Sequence, residues 1–359
     1  MKLPKTMKAV VIHGIGDYRL EEIPIPQLGF GEVLVRVKAA GICAGDVKAF
    51  HGIRVWGSDD IAPYIKVPVV AGHENIGEVV ALGKGAAEKY GLKIGDMAVS
   101  EQIVPCGKCR FCLEGEYWMC EQHDIYGFIH GRAEGGWSEY MKYPANAINH
   151  KVPSDIKSEY AALIEPLACA IHAVERGNIQ LRDVVVIAGM GPIGLCMLQI
   201  ARLKSPGLLI AVDMKPYRLE LARRLGADLT IDVSKRDVVK EVKKLTDGYG
   251  CDVYIDVAGS SEGTIQGLRM LRKLGTFVEF AVHSKPLSVD WSIIGDVKEL
   301  NIYGSHLGAY SYPKAIEYLH DGTINAEKIV THVLPLEEFQ QGLEIASLGE
   351  KSLKVILVP

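Results

Sequence analysis

Hydrophobic and polar positions follow two different periods along the chain and divide it into a β-rich part and an alternating part. Over residues 7–40, apolar and polar positions alternate, and Gly and Pro separate the runs. This pattern is typical of antiparallel strands, and it continues through 67–83, 95–100 and 138–152. From 159 to 176 the apolar positions take a helical spacing. Strand and helix patterns then alternate to about residue 300, which predicts a doubly wound parallel sheet.

The alternating part predicts strands at 184–188, 208–213, 229–232, 252–257 and 276–281, and helices at 192–204, 216–225, 235–246, 262–272 and 291–298. A further helix is expected at 311–321 and a β-rich end at 327–358, whose last apolar run would return to the first part. We therefore predict an α/β protein with a β-rich domain of 1–158 and 304–359 and an inserted dinucleotide-binding domain of 159–303.

A glycine-rich turn follows the first strand of the alternating part. Gly189, Gly191 and Gly194 supply G-x-G-x-x-G between a β-branched run and a helical run, and Asp213 ends the next strand. This is the order of a βαβ dinucleotide-binding unit, in which the helix N-terminus faces the pyrophosphate. A carboxylate at Asp213 accepts hydrogen bonds from a ribose 2′-hydroxyl and repels a 2′-phosphate, so the predicted cofactor is NAD. The predicted cofactor-binding residues are Gly189, Gly191, Pro192, Ile193, Gly194 and Asp213.

Composition and charge exclude several classes of partner. The 359 residues are 48% hydrophobic and 23% charged, with a net charge of −4, so no basic surface for nucleic acid or anionic membranes is indicated. No apolar run reaches the ~18 residues of a membrane span, and the first residues lack the apolar core of a signal peptide. We expect a cytoplasmic protein, in which the eight cysteines are not a disulfide framework.

Four of these cysteines form a group in an irregular loop at about 104–124. They are Cys106, Cys109, Cys112 and Cys120. Their spacing lets four thiolates reach one tetrahedral ion, and such a spacing is typical of a structural zinc site. An iron–sulfur cluster is the main alternative, but its fourth cysteine would follow sooner and precede a proline. Four unliganded thiols on a loop would be open to oxidation. Zinc is therefore favoured.

Three separate segments each offer a further ligand. Cys43 follows a strand pattern, His73 and Glu74 stand at a turn before a strand, and Glu165 lies on the first helical stretch. Each alone has an ordinary interpretation, as a small buried cysteine, a surface pair or a solvated helix residue. Taken as bare residues, each fits both this ordinary interpretation and a metal ligand.

These motifs together resemble the zinc-dependent medium-chain dehydrogenases, the superfamily of alcohol, sorbitol and threonine dehydrogenases. The resemblance covers nearly the whole chain and is carried by G-I-C (41–43), G-H-E (72–74), the four-cysteine loop, E-P-L-A (165–168), G-M-G-P-I-G (189–194) and the pair 304–305. It implies a GroES-like catalytic domain and a Rossmann domain. It also implies a catalytic zinc held by Cys43, His73 and Glu165, with Glu74 as a fourth or exchangeable ligand, and hence two zinc ions per subunit.

Four stretches of the chain are similar to an erythritol/L-threitol dehydrogenase subgroup, namely 41–48, 100–106, 116–120 and 123–128. That similarity implies hydride transfer from a small polyol, best a four-carbon alditol, to NAD⁺, giving a ketose or aldose. Two alternatives stay within the superfamily, namely a sorbitol or xylitol dehydrogenase and an L-threonine 3-dehydrogenase, which would need Arg54 or Arg132 at a carboxylate. A third is a nucleotide-binding protein whose zinc is only structural. The family also implies a homo-dimer or homo-tetramer, joined through the last strands of the nucleotide domain.

The sequence departs from the family at the proton path. The family carries Ser or Thr two residues after the zinc cysteine and often His three residues further on, but here those positions are Gly45 and Lys48. A glycine cannot relay a proton, so a bound water, a ribose hydroxyl or one of the carboxylates Glu74 and Glu165 could take over. The nearby candidates are Asp46, Lys48 and His51, and the aromatic pocket candidates are Phe50, Trp56, Tyr126 and Phe128.

Overall fold

The computed structural model describes residues 3–53, 56–57 and 64–359. The chain forms two compact units, one of Met1–Glu165 with Tyr312–Pro359 and one of Pro166–Ser311. The predicted boundaries at 158/159 and 303/304 fall seven and eight residues before these divisions. The helix at Ser158–Ala161 belongs to the first unit. Gly308 belongs to the second unit and packs closely there, since a Cβ at position 308 would lie 2.6 Å from the Cβ of Ala168.

The described residues contain the following elements, numbered in chain order. The strands are β1 (Thr6–Gly14), β2 (Asp17–Pro24), β3 (Val33–Ile42), β4 (Val69–Val70), β5 (Glu74–Leu82), β6 (Met97–Ser100), β7 (Ile103–Val104), β8 (Asp124–Ile125), β9 (Tyr140–Tyr143), β10 (Asn149–Val152), β11 (Val184–Ala188), β12 (Leu208–Asp213), β13 (Leu229–Asp232), β14 (Cys251–Asp256), β15 (Leu271–Glu279), β16 (Asn301–Gly304), β17 (Val330–Pro335) and β18 (Lys354–Val358). The helices are α1 (Ala44–Phe50), α2 (Ala86–Tyr90), α3 (Arg110–Leu113), α4 (Ser158–Ala161), α5 (Ile164–Arg176), α6 (Pro192–Leu203), α7 (Pro216–Arg224), α8 (Val238–Leu245), α9 (Ser261–Met270), α10 (Tyr312–His320) and α11 (Phe339–Leu348), with 3₁₀ turns at Tyr117–Met119, Trp291–Ile293 and Leu336–Glu338.

The main sheet of the first unit carries strands from both ends of the chain. Its order is β10-β6-β5-β3-β18-β17, and β9 also pairs with β3. The predicted return of the last apolar run is confirmed, because β18 lies between β3, to which it is antiparallel, and β17, to which it is parallel. Val35, Ile76 and Ile356 are fully buried in this sheet. Apolar burial of this kind is the main favourable term holding the unit together.

The second unit is built on a six-stranded sheet in the order β13-β12-β11-β14-β15-β16, and every pairing in it is parallel. The strand order reverses at β11, as in dinucleotide-binding folds. The β-branched run of β11 is buried because helices cover both faces of such a sheet. The predicted α/β class with a doubly wound sheet is confirmed.

Three predicted elements differ from the structure. The expected helix at 291–298 is a 3₁₀ turn at Trp291–Ile293, since Gly295 and the β-branched residues before it favour helix weakly. The helix expected over 159–176 is divided into α4 and α5, and Pro166, which has no N–H to donate, lies in the first turn of α5. The expected β-rich end contains the helix α11, in which Phe339 and Leu343, four residues apart and so on one helical face, are both buried.

Within the described ranges, no helix has the length and hydropathy needed to cross a membrane.

Candidate active site

Cys43 is positioned where β3 ends and α1 begins. It is the N-cap of α1, and its Sγ accepts a hydrogen bond from the Gly45 N–H at 3.3 Å. In return, the Cys43 N–H donates to Asp46 Oδ2 at 2.8 Å. The reciprocal arrangement is a capping box, with a thiol in the place usually taken by a hydroxyl. It fixes the direction of the sulfur at the end of β3.

His73 and Glu74 reach Cys43 through strand pairing. Glu74 begins β5 and is the register partner of Gly41 on β3, two residues before Cys43. The turn into β5 requires a glycine at position 72, where φ is +92° and a Cβ would lie 2.1 Å from the Trp137 ring. As a result, one ligand atom from each of Cys43, His73 and Glu74 lies within 4.8 Å of the others. We call these three residues the Cys43 cluster.

Asp46 lies behind the histidine of the Cys43 cluster. Its Oδ1 is 3.4 Å from His73 Nδ1, and both side chains are buried. Burial lowers the pKa of the His73 imidazole, but Asp46 and the Cys43 sulfur outweigh it and hold that pKa well above its ordinary value. The carboxylate thus lies in the position from which an acid usually orients a metal-binding histidine. Phe128 packs against the same ring, with centroids 5.6 Å apart.

Glu165, the fourth predicted ligand, is buried at the start of α5 and is 4% exposed. Its carboxylate accepts a hydrogen bond from the Gln102 side-chain amide. Gln102 is held in turn by Tyr312, whose hydroxyl donates to its side-chain oxygen at 2.7 Å. Glu165 is not part of the 4.8 Å group, so its place in the ligand set stays a prediction.

Glu74 has a partner that the sequence analysis missed. Lys354 Nζ on β18 lies 2.7 and 2.6 Å from the two carboxylate oxygens of Glu74, and both side chains are buried. Burial lowers the pKa of the Lys354 ammonium, but the charge of Glu74 outweighs it, and the net pKa is raised. The signal in the sequence was a lone lysine inside an otherwise apolar terminal strand, which is unusual because buried lysines are rare without a partner.

The remaining predicted proton-path residues lie on or beside α1. Asp46 already accepts from the Cys43 N–H and faces His73. Burial lowers the pKa of the Lys48 ammonium, partly offset by the charge of Cys43. His51 is the exposed C-cap of α1 and packs edge-on against Phe50.

The other predicted pocket residues have different surroundings. The Trp56 indole N–H donates to the Ala49 carbonyl at 2.7 Å. Tyr126 is fully buried and hydrogen-bonded to Ser100, so it belongs to the core. Arg132 forms an ion pair with Asp124 at 2.7 Å. Arg54 lies outside the described residues.

The four cysteines of the loop converge. Their sulfurs all lie within 4.8 Å of one another, and all four are free thiols. Backbone N–H groups point inward as well: the Cys106 N–H donates to Cys120 Sγ, and the Cys109 N–H donates to Cys106 Sγ, both at 3.3 Å. Such donors favour thiolates, and the N–H groups of Cys112 and Glu121 lower the pKa of Cys109 to about 6. The set fits a closed four-thiolate zinc site.

The glycine turn of the second unit has the geometry of a phosphate cradle. Gly189 has φ +99°, and a Cβ on Gly194 would lie 1.8 Å from the Gly189 carbonyl oxygen, so neither position accepts a side chain. Gly191 is the N-cap of α6, and Pro192 occupies its first turn. The N-terminus of this helix is therefore open to an anion.

Asp213 is tied to the glycine turn at the end of β12. Its Oδ2 accepts from the Met190 N–H at 2.7 Å and its Oδ1 accepts from the Lys215 N–H at 2.8 Å. Arg218 was not predicted from the sequence. Its Nη1 lies 3.9 Å from Asp213 Oδ2, and a Cβ on Gly191 would lie 3.9 Å from the same Nη1 atom. A basic residue five positions after the acid was the available signal.

The charge balance around the Cys43 cluster suits a bound cation. This region contains three buried carboxylates, those of Asp46, Glu74 and Glu165. The buried lysine Lys354 interacts with the last two. Uncompensated buried charge is costly. A divalent ion would offset the surplus, and sulfur, imidazole and carboxylate donors are those that zinc accepts.

Comparison with known proteins decides the family. Residues 29–154 match the family model described as the alcohol dehydrogenase GroES-like domain, and residues 192–321 match the model described as zinc-binding dehydrogenase. This chain belongs to the zinc-dependent medium-chain dehydrogenases. It is accordingly an oxidoreductase with a GroES-like domain and a Rossmann domain, as the motifs predicted.

Individual dehydrogenases of known sequence or structure align over nearly the full chain. An erythritol/L-threitol dehydrogenase of Mycolicibacterium smegmatis is 49% identical over 100% of this chain and 99% of its own. A zinc-binding dehydrogenase of Sinorhizobium meliloti, solved with NADP, superposes with a TM-score of 0.89 at 28% identity, covering 99% of this chain and 100% of its own. An alcohol dehydrogenase of Escherichia coli, solved with NADH, gives 0.88 at 29% identity, covering 99% and 100%.

Proposed function

We propose that this dehydrogenase oxidises a small polyol, best a four-carbon alditol of the erythritol or L-threitol type, with NAD⁺, giving a ketose or aldose and NADH. The observation that carries the proposal is the 49% identity, over the full length, to an erythritol/L-threitol dehydrogenase. The Cys43 cluster supplies the corresponding chemistry, since its donor set suits a catalytic rather than a closed structural ion.

Two zinc ions per chain are proposed. Cys43, His73 and Glu165 would hold the catalytic ion, with Glu74 as an exchangeable ligand, and the four loop cysteines would hold the structural ion. A bound catalytic zinc supplies Lewis-acid chemistry, which lowers the pKa of an alcohol. Asp46 contributes by holding the His73 ring, and Phe128 provides an apolar wall beside it. An apolar wall excludes water and strengthens the electrostatic interactions of the site.

NAD is favoured over NADP by the arrangement at Asp213. Both carboxylate oxygens accept backbone N–H groups, so the charge is fixed at the end of β12. A fixed carboxylate there would hydrogen-bond the two ribose hydroxyls and repel a 2′-phosphate. Arg218, beside Gly191, would neutralise part of the pyrophosphate charge.

Lys48 is the proposed acceptor of the substrate proton, in place of the absent hydroxyl at Gly45. Its pKa is lowered by burial, which brings an amine nearer to the range in which it exchanges protons at neutral pH. His51, three residues further along the chain, would pass the proton to solvent, because it is exposed. Asp46 is the less suitable relay, since its two oxygens are already engaged by Cys43 and His73.

A homo-oligomer is proposed through the edge of the second sheet. β16 is the last strand of that sheet, and each of its residues is exposed, including Ile302 (43%) and Tyr303 (38%). An exposed apolar edge strand is prone to pair with another chain. Pairing of two β16 strands about a two-fold axis would join two sheets into one. Size-exclusion chromatography with light scattering tests this proposal.

The function is tested by following NADH formation over erythritol, L-threitol, xylitol, sorbitol and L-threonine, with metal analysis of the same preparation. The expected result is the highest kcat/KM for a four-carbon alditol and about two zinc ions per chain. Cys43→Ala should abolish turnover, leave one zinc and keep NAD binding. Cys196→Ala, a buried cysteine of α6, is the matched control and should keep both metals and turnover.

Each outcome of that screen has a defined meaning. A preference for sorbitol or xylitol, or for L-threonine, would replace the proposed substrate by one of the other substrates of this superfamily. The dehydrogenase mechanism would be overturned if the unmodified protein contained one zinc ion and lost it only on substitution of a loop cysteine. Undiminished turnover by Cys43→Ala with zinc supplied would overturn the ligand assignment.

A further inference from the structure

Gln102 is a buried glutamine that joins Glu165 to Tyr312, which lies 210 residues further along the chain. Gln102 is 3% exposed, and its side-chain nitrogen donates to Glu165 Oε1. The Tyr312 hydroxyl donates to Gln102 Oε1 at 2.7 Å and accepts from the Gln102 backbone N–H at 3.0 Å. An amide buried without partners would be costly, so these contacts explain how a polar residue is accommodated here.

The polarity of this hydrogen-bond chain determines which end of the amide faces Glu165. The Tyr312 hydroxyl has one proton to donate. Because its oxygen already accepts from the Gln102 backbone N–H, that proton is directed at Gln102 Oε1. The opposite end of the amide, which carries the N–H donors, is therefore turned towards the carboxylate. Glu165 thus faces a donor and not a second acceptor.

The segment that carries Gln102 is also held through the preceding residue, Glu101. Glu101 Oε2 accepts from the Tyr117 hydroxyl at 2.7 Å, and Glu101 Oε1 lies 2.9 Å from His150 Nε2. The His150 ring in turn stacks on the Tyr312 ring, with centroids 5.7 Å apart. All of these residues belong to the first unit. Their contacts leave the amide little freedom to turn away from Glu165, which is what the support of a functional group requires.

Stability gives only a weak reason for a glutamine at this position. A leucine has a similar volume and would pack in a buried place without any polar group to satisfy. A hydrogen bond to a carboxylate, in contrast, fixes the direction of that carboxylate. Because the amide is neutral, it does so without cancelling the negative charge. The carboxylate therefore keeps its charge for a cation.

We propose that Gln102 is a positioning residue for the catalytic metal, which acts by presenting Glu165 as a charged ligand that coordinates through one oxygen. The inference rests on the proposed function, in which Glu165 is a ligand of that metal. An amide donor on one carboxylate oxygen favours coordination through the other. Groups that orient a metal ligand in this way change metal affinity by about 10- to 100-fold when they are removed.

Release of metal to a chromogenic chelator tests the role of Gln102. The phase of release that disappears in Cys43→Ala belongs to the catalytic ion, and the remaining phase belongs to the ion of the four-cysteine loop. In Gln102→Leu, we expect the catalytic phase to be faster by about 10- to 100-fold and the loop phase to stay unchanged. Gln199→Leu, which removes a buried glutamine from α6, is the matched control and should leave both phases unchanged.

A double variant shows whether Gln102 acts through Glu165. Glu165→Gln should itself make the catalytic phase faster. Adding Gln102→Leu to it should change the rate by less than about twofold, since the carboxylate to be positioned is already absent. An equal effect of Gln102→Leu in both backgrounds, or no effect in the otherwise unmodified protein, would overturn the inference.

Tyr312→Phe keeps the inference falsifiable if Gln102→Leu does not fold. It removes the hydroxyl that orients the amide and keeps the buried ring, so the catalytic phase should again be faster, and an unchanged rate would count as refutation. If the unmodified protein holds only the loop ion, or if Glu165→Gln leaves the catalytic phase unchanged, the proposed ligand set fails and this inference fails with it. Two bound ions and a faster phase in Glu165→Gln, without any effect of Gln102→Leu, mean that the inference alone is wrong.

Discussion

Gly41→Ala is the smallest change that should disturb the catalytic half of the protein. The added Cβ would lie 2.0 Å from Glu74 Oε2, 3.1 Å from Cδ and 3.2 Å from the Cβ of Glu74. An ordinary contact is ~3.5 Å, so the carboxylate oxygen must move by ~1.5 Å. Its hydrogen bond to Lys354 is 2.6 Å long, and a movement of that size breaks it.

The cost can be bounded from two effects. Overpacking a core site costs about 1–3 kcal/mol, and breaking a buried ion pair costs about 3–5 kcal/mol. Because the displaced carboxylate partly recovers other contacts, we expect the free energy of unfolding of the first unit to fall by about 3–5 kcal/mol. Urea unfolding of the metal-free protein measures it without a contribution from bound metal.

Gly14→Ala is the matched control. Gly14 ends β1 in the same unit, and a Cβ there has no neighbour within 4 Å. We expect its free energy of unfolding to stay within about 0.5 kcal/mol of the unmodified protein. If Gly41→Ala also stays within that range, the packing of Glu74 against the Gly41 backbone does not have the energetic role assigned to it.

Three further predictions concern the cofactor, the pH dependence and the cysteine loop. Asp213→Ala should reduce the ratio of kcat/KM with NAD⁺ to that with NADP⁺ by about tenfold or more, since the repelling charge is removed; an unchanged ratio argues against the ribose role. Burial and the charge of Asp256 raise the pKa of Glu279 to about 8 from its ordinary 4.5, so its protonated form is favoured in the folded state. The stability that this group contributes is therefore present below pH ~4.5 and is lost as the pH rises to ~8. Urea unfolding measured across this range should show a smaller decrease in the free energy of unfolding for Glu279→Gln than for the unmodified protein. Cys106→Ser should lower the zinc content by one ion and the thermal midpoint markedly, and a loss of turnover without loss of zinc would contradict a structural role.

The second unit was the easier part to predict from the sequence. The strands β11 to β14 are short runs rich in apolar residues, and helical patterns lie between them, so the local pattern largely determines the element. The strands at Val184–Ala188, Leu208–Asp213 and Leu229–Asp232 match their predicted ranges. The prediction of a helix at 291–298 was wrong, because a few apolar residues in a polar segment fit a helix or the single turn at Trp291–Ile293 equally well.

The site of the first unit was only partly accessible from the sequence. Cys43, His73 and Glu74 could be named because each lies in a short motif, and the structure brings them together. The contact between Lys354 and Glu74 spans 280 residues and depends on which strand is inserted beside β3. Local periodicity carries no information on such a pairing, and the lysine is part of no motif. Gln102, which holds Glu165, was missed for the same reason.

The position of β18 in the main sheet has a consequence for the order in which the two units are made. The second unit is one continuous segment, Pro166–Ser311, so it can fold as soon as that segment has been synthesised. The first unit cannot, because the strand that carries Lys354 is produced only after the whole of the second unit. Until then the edge of β3 that later pairs with β18 is open, and the Glu74 carboxylate has no ammonium. The half of the protein that begins first during synthesis is thus the last to be completed, and until then its open strand edge is exposed to mispairing.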